Sequence, residues 1–369
     1  MTFDTVPISF SLVLTIFLAL YVARSAIFLL VARNTIKSGA NLETAYHCAA
    51  LDTQFNRTDY RHFVSVLIAS YNEQQVIDRL MKSCAALTYN QNKFEIIVVD
   101  DSDDETFHIL KNWEKKIQNL KVIHRSNRKG WKGGALNVAL NNMNPKSSYA
   151  LIVDADNILP SHILESFVSR FNECSLKEKN IVEVIQGYPI PTVYYNNNND
   201  SNSKLDTFDQ VGDYSNWVSK AIDFRLAKRN LIEFIAKDKL SLPIQITSSL
   251  FMMRSEVIKL LGFSGDLTED WDLTLDLYLS TDGILLYYTN CRDRLQGNNI
   301  GTRKVLYDPA LMSYSSTITK FRAYFRQRMR VSEGHTRGFR KNIINILTCN
   351  IRVKDKLSSF LSDYSIQSS

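Results

Sequence analysis

Short apolar runs without polar alternation recur from residue 63 onward, separated by amphipathic stretches with helical spacing. FVSVLIAS at 63–70, FEIIVVD at 94–100, LKVIH at 120–124 and YALIVD at 149–154 are predicted strands, with helices over about 73–87, 103–118 and 133–143 and after Pro160. Strands apolar at every position are buried on both faces, so helices must cover the two sides of a mostly parallel sheet. The fold class is α/β, with a Rossmann-like sheet whose ligands sit at the carboxyl ends of its strands. Beyond YYNNNNDSNSK at 194–204, a polar insertion read as a loop, the pattern predicts a helix over about 207–236 and a strand near 244–253. A helix opening at Thr268 and a basic amphipathic helix near 316–331 follow.

The amino-terminal stretch is different. Ile8 to Ala32 is apolar except for Ser9, Ser11, Thr15, Arg24 and Ser25. As a helix it reaches about 37 Å, enough to span a hydrocarbon core with tilt. It is predicted to be a transmembrane anchor within residues 1–35, joined by a patternless linker at 36–60 to everything downstream. Asp4 precedes the span and Arg33 and Lys37 follow it, so the positive-inside rule places the chain after the single anchor in the cytoplasm.

Composition narrows this only slightly. At 369 residues with 45% hydrophobic and 22% charged, the chain buries a sizeable core and is neither disordered nor collagen-like. Its five cysteines are widely spaced, with no C-x-x-C pair, which argues against a disulfide scaffold or structural zinc. Charge is informative once located. Lys320 to Lys341 holds eight Lys or Arg against Glu333 alone, a net of +7, while the whole chain is only +6. Such a cluster is either a solvated helix face or a site for an anion. Nucleic acid is the weaker partner, because Tyr324 and Phe325 are the only adjacent aromatics and no stacking platform is present.

The candidate chemistry lies at the strand ends. They read Ser70-Tyr71-Asn72-Glu73, Asp100-Asp101-Ser102-Asp103 and Asp154-Ala155-Asp156. Each alone is an ordinary turn or helix cap. Together they crowd carboxylates on one sheet edge, which requires a compensating cation, and a D-x-D suits one hard divalent ion that shares substrate phosphates. Lys129-Gly130-Trp131-Lys132-Gly133-Gly134 opens a helix with cationic side chains and glycine backbone, an environment for a diphosphate. It has the order of neither a P-loop nor a dinucleotide fingerprint, so the sequence supports neither an NTPase nor a dehydrogenase.

The order of these elements resembles the family-two inverting glycosyltransferases of GT-A fold, in particular the membrane-associated branch of cellulose, chitin and hyaluronan synthases. The resemblance runs over about 62–342 and rests on VSVLIASYNE, IIVVDDSDDET, RKGWKGGALN ending at Asn137, and LIVDAD. It continues through Val184-Ile185-Gln186-Gly187, Thr268-Glu269-Asp270 and Gln327-Arg328-Met329-Arg330. It implies a catalytic domain over 61–290 and a helical region over 291–369. Tyr71, Glu73, Asp100, Asp101, Lys132 and Asp154 would bind the nucleotide sugar, a UDP-sugar. Asp154 and Asp156 would face the diphosphate and its Mg²⁺ or Mn²⁺. Asp270, beside Glu269, would be the general base, and Gln327 and Arg330 would stand near the diphosphate. A free Asp titrates near 3.9 and is a feeble base, so the site would have to strengthen it by burial or by the Glu269 carboxylate.

Two departures from that family matter. Val331 replaces the tryptophan that follows the arginine, removing an indole on which a sugar ring stacks. The last 28 residues hold only IINIL as an apolar run, so a translocation channel would need a channel-forming partner subunit. The expected function is transfer of a sugar to a polysaccharide or lipid-linked acceptor at the cytoplasmic membrane face. The alternative is a degenerate subunit that keeps the nucleotide-sugar pocket for binding.

Overall fold

A computed structural model describes residues 5–37, 61–177, 182–192, 216–247, 249–279 and 303–348. The polar insertion at 194–204, most of the linker and the end of the C-terminal region lie outside the described residues.

The first half of the body forms as the pattern predicts. β1 (Phe63–Ser70), α2 (Ile77–Ala85), β2 (Phe94–Asp100), α3 (Thr106–Glu114), β3 (Leu120–His124), α4 (Trp131–Asn141) and β4 (Ser147–Asp154) follow α1 (Thr5–Lys37). β1 pairs in parallel with β2 on one side and β4 on the other, and β2 pairs in parallel with β3. Successive residues of these strands enter opposite cores, both apolar. Val66, Ile68, Ile96, Val98, Leu151 and Val153 pack in one cluster, and Leu67, Ile97, Val99 and Ile152 in the other. That two-sided burial is why no polar alternation is present in the sequence. α2 covers the first cluster with Ile77, Leu80, Met81 and Cys84, one helical stripe.

The second half departs from a purely parallel sheet. β5 (Asn157–Ile158), α5 (Ile163–Lys177), β6 (Val182–Thr192), α6 (Trp217–Ala227), a π-helical turn at Lys228–Phe234 and α7 (Ile235–Lys239) lead to β7 (Leu250–Arg254). Then come α8 (Ser255–Leu261), α9 (Glu269–Leu279), β8 (Arg303–Ser316) and α10 (Phe321–Thr348). The order across the sheet is β3-β2-β1-β4-β7-β6-β8-β5. β7 runs antiparallel to both β4 and β6, and β5 antiparallel to β8, so the sheet is mixed. The segment at 242–247 precedes β7 as irregular chain where a strand was expected. β8 carries no distinct sequence signal, and α10 extends well past the predicted basic helix. The order of the parallel strands reverses between β1 and β4, the crevice where open α/β sheets bind ligands.

α1 is longer than the predicted span, and its Leu18–Lys37 portion is long and apolar enough to cross a membrane. Leu12, Ile16, Leu18, Leu20, Leu29 and Leu30 are exposed. The carboxyl half nevertheless packs on the body, where Phe28 and Ala32 are buried and Ile36 rests on the second core cluster. Arg24, the one charge inside the apolar run, makes a 2.7 Å ion pair with Glu233 of the π-helical turn, and Lys237 of α7 lies 3.5 Å from the same carboxylate. Lys237 and Arg24 together outweigh burial and hold Glu233 below its usual carboxylate range. A nearly buried pair of this kind is costly to break from one side, because the surviving charge stays out of water. Arg24→Ala is therefore expected to cost about 1 to 3 kcal/mol, with Lys237 moderating the loss. In thermal unfolding of the detergent-solubilised chain, Arg24→Ala with Glu233→Gln should cost less than the sum of the two single changes; strict additivity would mean that the pair is not coupled.

Candidate active site

A cavity of about 600 Å³ opens at the carboxyl ends of β1, β2 and β4. Tyr71, Glu73, Asp101, Lys132, Asp154, Asp156, Glu269, Asp270, Gln327 and Arg330 all line it. Ten of the eleven residues singled out from sequence thus share one space. The eleventh, Asp100, is fully buried behind the wall, where it accepts hydrogen bonds from the Ser102 backbone N–H and hydroxyl and meets His124 Nδ1 at 3.0 Å. Ser102 Oγ in turn accepts from the Asn72 backbone N–H, so Asp100 fixes the two loops that carry Tyr71 and Asp101.

The register explains the convergence. Ser70 pairs with Asp100 and Ala69 with Asp154, so the three acidic strand ends stand side by side. β4 continues through the Asp154–Asp156 turn into β5, which is anchored on β8 through Asn157 opposite Ser315. Asn157 Nδ2 also donates to the Ser249 carbonyl at 2.5 Å. Gln186, from the VIQG run, donates to Thr247 Oγ1 and the Leu250 carbonyl and accepts from the Thr247 N–H, pinning the cavity wall at Gln245, Thr247 and Ser249.

The glycine-rich loop works by close approach. Gly130 has φ +74°, and a Cβ on Gly133 would lie 1.9 Å from the Ser264 carbonyl oxygen. Only glycine lets the loop before α9 lie against α4. Asn137 completes the join: its Nδ2 donates to the Phe263 carbonyl at 2.7 Å and its Oδ1 accepts from the Phe263 N–H at 2.9 Å. Thr268, Glu269 and Asp270 are thereby carried over the sheet edge. Trp131 itself has φ +50°, a strained conformation for an aromatic residue at the cavity mouth. α10 closes the far side: Gly334 lies against Thr268, and a Cβ there would come 2.4 Å from its Cγ2. His335 packs on Trp271 at 5.2 Å. Val331, in the position of the missing tryptophan, faces the cavity.

Electrostatics tie these pieces together. Lys132 is hydrogen-bonded to Asp154 and lies 3.5 Å from Glu269. Burial alone would depress its ammonium, but Asp154, Glu269 and Asp270 hold it above its ordinary value, so it stays charged. The carboxyls it leaves over are pushed the other way. Burial, then Asp154 and Asp104, raises Glu73 to about 7, and burial, then Asp154 and Glu73, raises Asp156 to about 7. Glu269 is also raised to about 7, chiefly by burial, with Lys132 opposing and Asp270 adding. Among the described residues no three His, Cys, Asp or Glu stand close enough to cage a metal by themselves. Asp154 and Asp156 nevertheless fit a hard divalent ion, because they are adjacent oxygen donors in a locally over-acidic site, and two carboxylates completed by phosphates and water are an ordinary Mg²⁺ shell.

Several residues in or behind the cavity wall had no individual signal in the sequence. Arg125 binds both oxygens of Asp101, through Nε at 2.6 Å and through Nη2, in a fork that the spacing across β3 does not announce. Arg128 lies over the Tyr71 ring at 3.3 Å from its centroid and 4.9 Å from that of Trp131, a cation–aromatic stack at the mouth. Arg225 and Arg229 project into the cavity from α6 and the π-helical turn. Their i, i+4 spacing reads equally as a solvated face.

With the geometry in place, comparison with known proteins gives the class. Residues 65–238 match Glycosyl transferase family 2, and the fold is GT-A. Over 113 residues the chain is 39% identical to the Beta-monoglucosyldiacylglycerol synthase of Nostoc sp., covering 30% of this chain and 23% of that one. Over 110 residues it is 32% identical to the Poly(ribitol-phosphate) beta-N-acetylglucosaminyltransferase TarS of Staphylococcus aureus, covering 30% and 19%. The chain therefore spans less than a quarter of the length of either relative. A TarS structure in complex with UDP-GlcNAc superposes with TM-score 0.51 at 17% identity, covering 82% of this chain and 72% of that one. The mannosyltransferase PcManGT from Pyrobaculum calidifontis, in complex with GDP-Man and Mn²⁺, superposes with TM-score 0.53 at 19% identity, covering 92% and 81%.

The Glu269 carboxyl gives the site a pH signature. Its pKa is higher folded than unfolded, so between about 4.5 and 7 the folded state binds more protons, and stability falls as pH rises across that window. Thermal melts of Glu269→Gln should fall less steeply over the same range than those of the wild type. Parallel profiles would show that Glu269 is ionised normally in the folded protein.

Proposed function

We propose that this chain is an inverting, metal-dependent glycosyltransferase that moves a sugar from a UDP-sugar to a lipid or glycan acceptor at the cytoplasmic face of a membrane. The observation that carries the reading is the single cavity in which Lys132 is shared between Asp154, on the sheet edge, and Glu269, beside Asp270. The two halves correspond to the two partners of a displacement. Tyr71, Glu73 and Asp101 with its Arg125 fork form the wall for the nucleoside, while Lys132 and Asp154 meet the diphosphate. When bound, Mg²⁺ or Mn²⁺ at Asp154 and Asp156 supplies Lewis-acid stabilisation of the leaving charge.

Asp270 lines the same cavity, next to Glu269. In this reading it takes the proton of an acceptor hydroxyl while the hydroxyl oxygen bonds to the anomeric carbon. The bond from that carbon to the diphosphate oxygen breaks, its electron pair leaving with the diphosphate, and one in-line displacement inverts the centre. Lys132 holds charge on the departing oxygen, and Gln327 and Arg330 approach from α10. The nucleotide sugars held by the similar structures, UDP-GlcNAc and GDP-Man, support a nucleotide-sugar donor, and the diacylglycerol in the name of the Nostoc relative supports a lipid acceptor. α1 supports attachment to a membrane. The resemblance to the synthase branch rests on Gln327 and Arg330 in the cavity, and a channel-forming subunit enters only if the product is a polymer.

Turnover of a panel of UDP-sugars and GDP-mannose, with and without Mg²⁺ or Mn²⁺, is the direct test. Nucleotide binding without turnover on any of them would make the chain a nucleotide-sugar-binding subunit instead. Asp270→Asn is expected to leave donor affinity nearly unchanged and to lower kcat by roughly 10² to 10⁴. A lost donor affinity with unaltered kcat would reverse that role. Asp156→Ala should remove the response to added Mn²⁺; full activity of the wild type in excess chelator would show the Asp154–Asp156 pair to be structural.

A further inference from the structure

The cavity holds a second set of cations, to which the proposed mechanism gives no role. Arg225 and Arg229 stand one turn apart on α6 and the π-helical turn, and Arg328 reaches the same space from α10. The Nε atoms of Arg225 and Arg229 are shut off from solvent and have no hydrogen-bond partner. Burial, with Arg229 and Arg328 alongside, pushes the Arg225 guanidinium down to about 10, against which Tyr324 provides a hydrogen bond. Burial also lowers Arg229, which has Asp270 and Glu233 as its nearby acids. Arg225 feels the like charges of Arg229 and Arg328, and the Nε donors of Arg225 and Arg229 are left unpaired, an arrangement that an anion relieves. The hydroxyls of Ser316 and Thr317, at the end of β8, line the same cavity without a partner.

Position decides which anion. The proposed function gives the diphosphate to Lys132 and the Asp154–Asp156 edge, whereas Arg229 feels the charge of Asp270, the proposed base for the acceptor hydroxyl. We propose that Arg225, Arg229 and Arg328 bind a phosphate carried by the acceptor, close to the hydroxyl that is glycosylated, and that this acceptor is an anionic lipid. The proposal deepens the transferase reading and rests on it for the position of the acceptor. The lipid source follows from what flanks the arginines. Trp217 and Phe224 on α6 and Phe321, Phe325 and Met329 on α10 are exposed. Trp217 and Phe321 meet at 5.7 Å and Phe321 and Phe325 at 6.3 Å, forming one aromatic rim. The π-helical turn that carries Arg229 is the segment gripped by α1 through Arg24 and Glu233. A lipid headgroup entering past that rim brings its phosphate to the arginines first and its hydroxyl to Asp270 next.

The experiment uses the full chain in mild detergent, saturated with UDP and Mn²⁺, with glycerol 3-phosphate titrated by calorimetry. Wild type should bind it, and Arg225→Gln and Arg229→Gln should each weaken that binding roughly tenfold or more while UDP affinity stays within about twofold. Arg229→Lys, which keeps the charge, should retain part of it and guards against simple misfolding. Equal weakening of UDP would place the arginines on the donor diphosphate, and unchanged glycerol 3-phosphate binding would remove the site; either overturns the proposal. In transfer assays phosphatidylglycerol should be glycosylated and diacylglycerol poorly, with the Arg229→Gln variant raising KM for phosphatidylglycerol alone. Equal use of diacylglycerol, or transfer only to soluble phosphodiester glycans, would overturn the lipid assignment. Absence of UDP binding or of donor turnover would sink the transferase reading, while the glycerol 3-phosphate titration would still decide the arginine site.

Discussion

One ammonium group sets the terms for the rest of the site. Glu73, Asp154, Asp156, Glu269 and Asp270 come from separate elements into one partly buried space, and Lys132 is the cation that pairs with both Asp154 and Glu269. Crowded carboxylates in a medium of low polarity are not all ionised unless something pays the desolvation. Lys132 hydrogen-bonds Asp154, while Glu73, Asp156 and Glu269 are raised to about 7, chiefly by burial, and share protons with solvent around neutral pH.

Holding that lysine in place explains much of the surrounding architecture. Glycine at 133 admits the Ser264 carbonyl, and the Asn137 clamp on Phe263 keeps α4 and the loop before α9 at fixed distance. Gly334 lets α10 close over Thr268, bringing Gln327, Arg328 and Arg330 to the cavity. α1 joins the same structure through Glu233, which lines the cavity while it pairs with Arg24. α1 and the cavity are thus joined by direct contact as well as by the linker.

Much of the site was legible because its residues lie at strand ends. An apolar run predicts a strand, its last residue predicts an edge, and β1, β2 and β4 are neighbours, so Tyr71, Glu73, Asp101, Asp154 and Asp156 meet. The same logic drew in Asp100, which the pleat instead points into the interior beneath them. Arg125, Arg128, Arg225 and Arg229 escaped notice because a single arginine on a loop or helix face carries no periodic signal, and its partner is distant in sequence. β8 escaped, and so did the antiparallel direction of β7, whose strand the pattern near 244–253 partly marks: strand direction is set by which neighbours are free to pair, and this is not written in the strand.

By itself the sequence determined the two-sided burial of β1 to β4, the helical reach of residues 8–32 and the residue types at each strand end. Those follow from local periodicity and from the preference of apolar side chains for the interior. Only the tertiary structure decided that Lys132 is shared between Asp154 and Glu269, that Arg24 answers Glu233 across more than two hundred residues, and that Arg225, Arg229 and Arg328, from three separate elements, line one cavity. Ion pairs and buried charge depend on distance and dielectric in three dimensions, and neither quantity exists until the chain has folded.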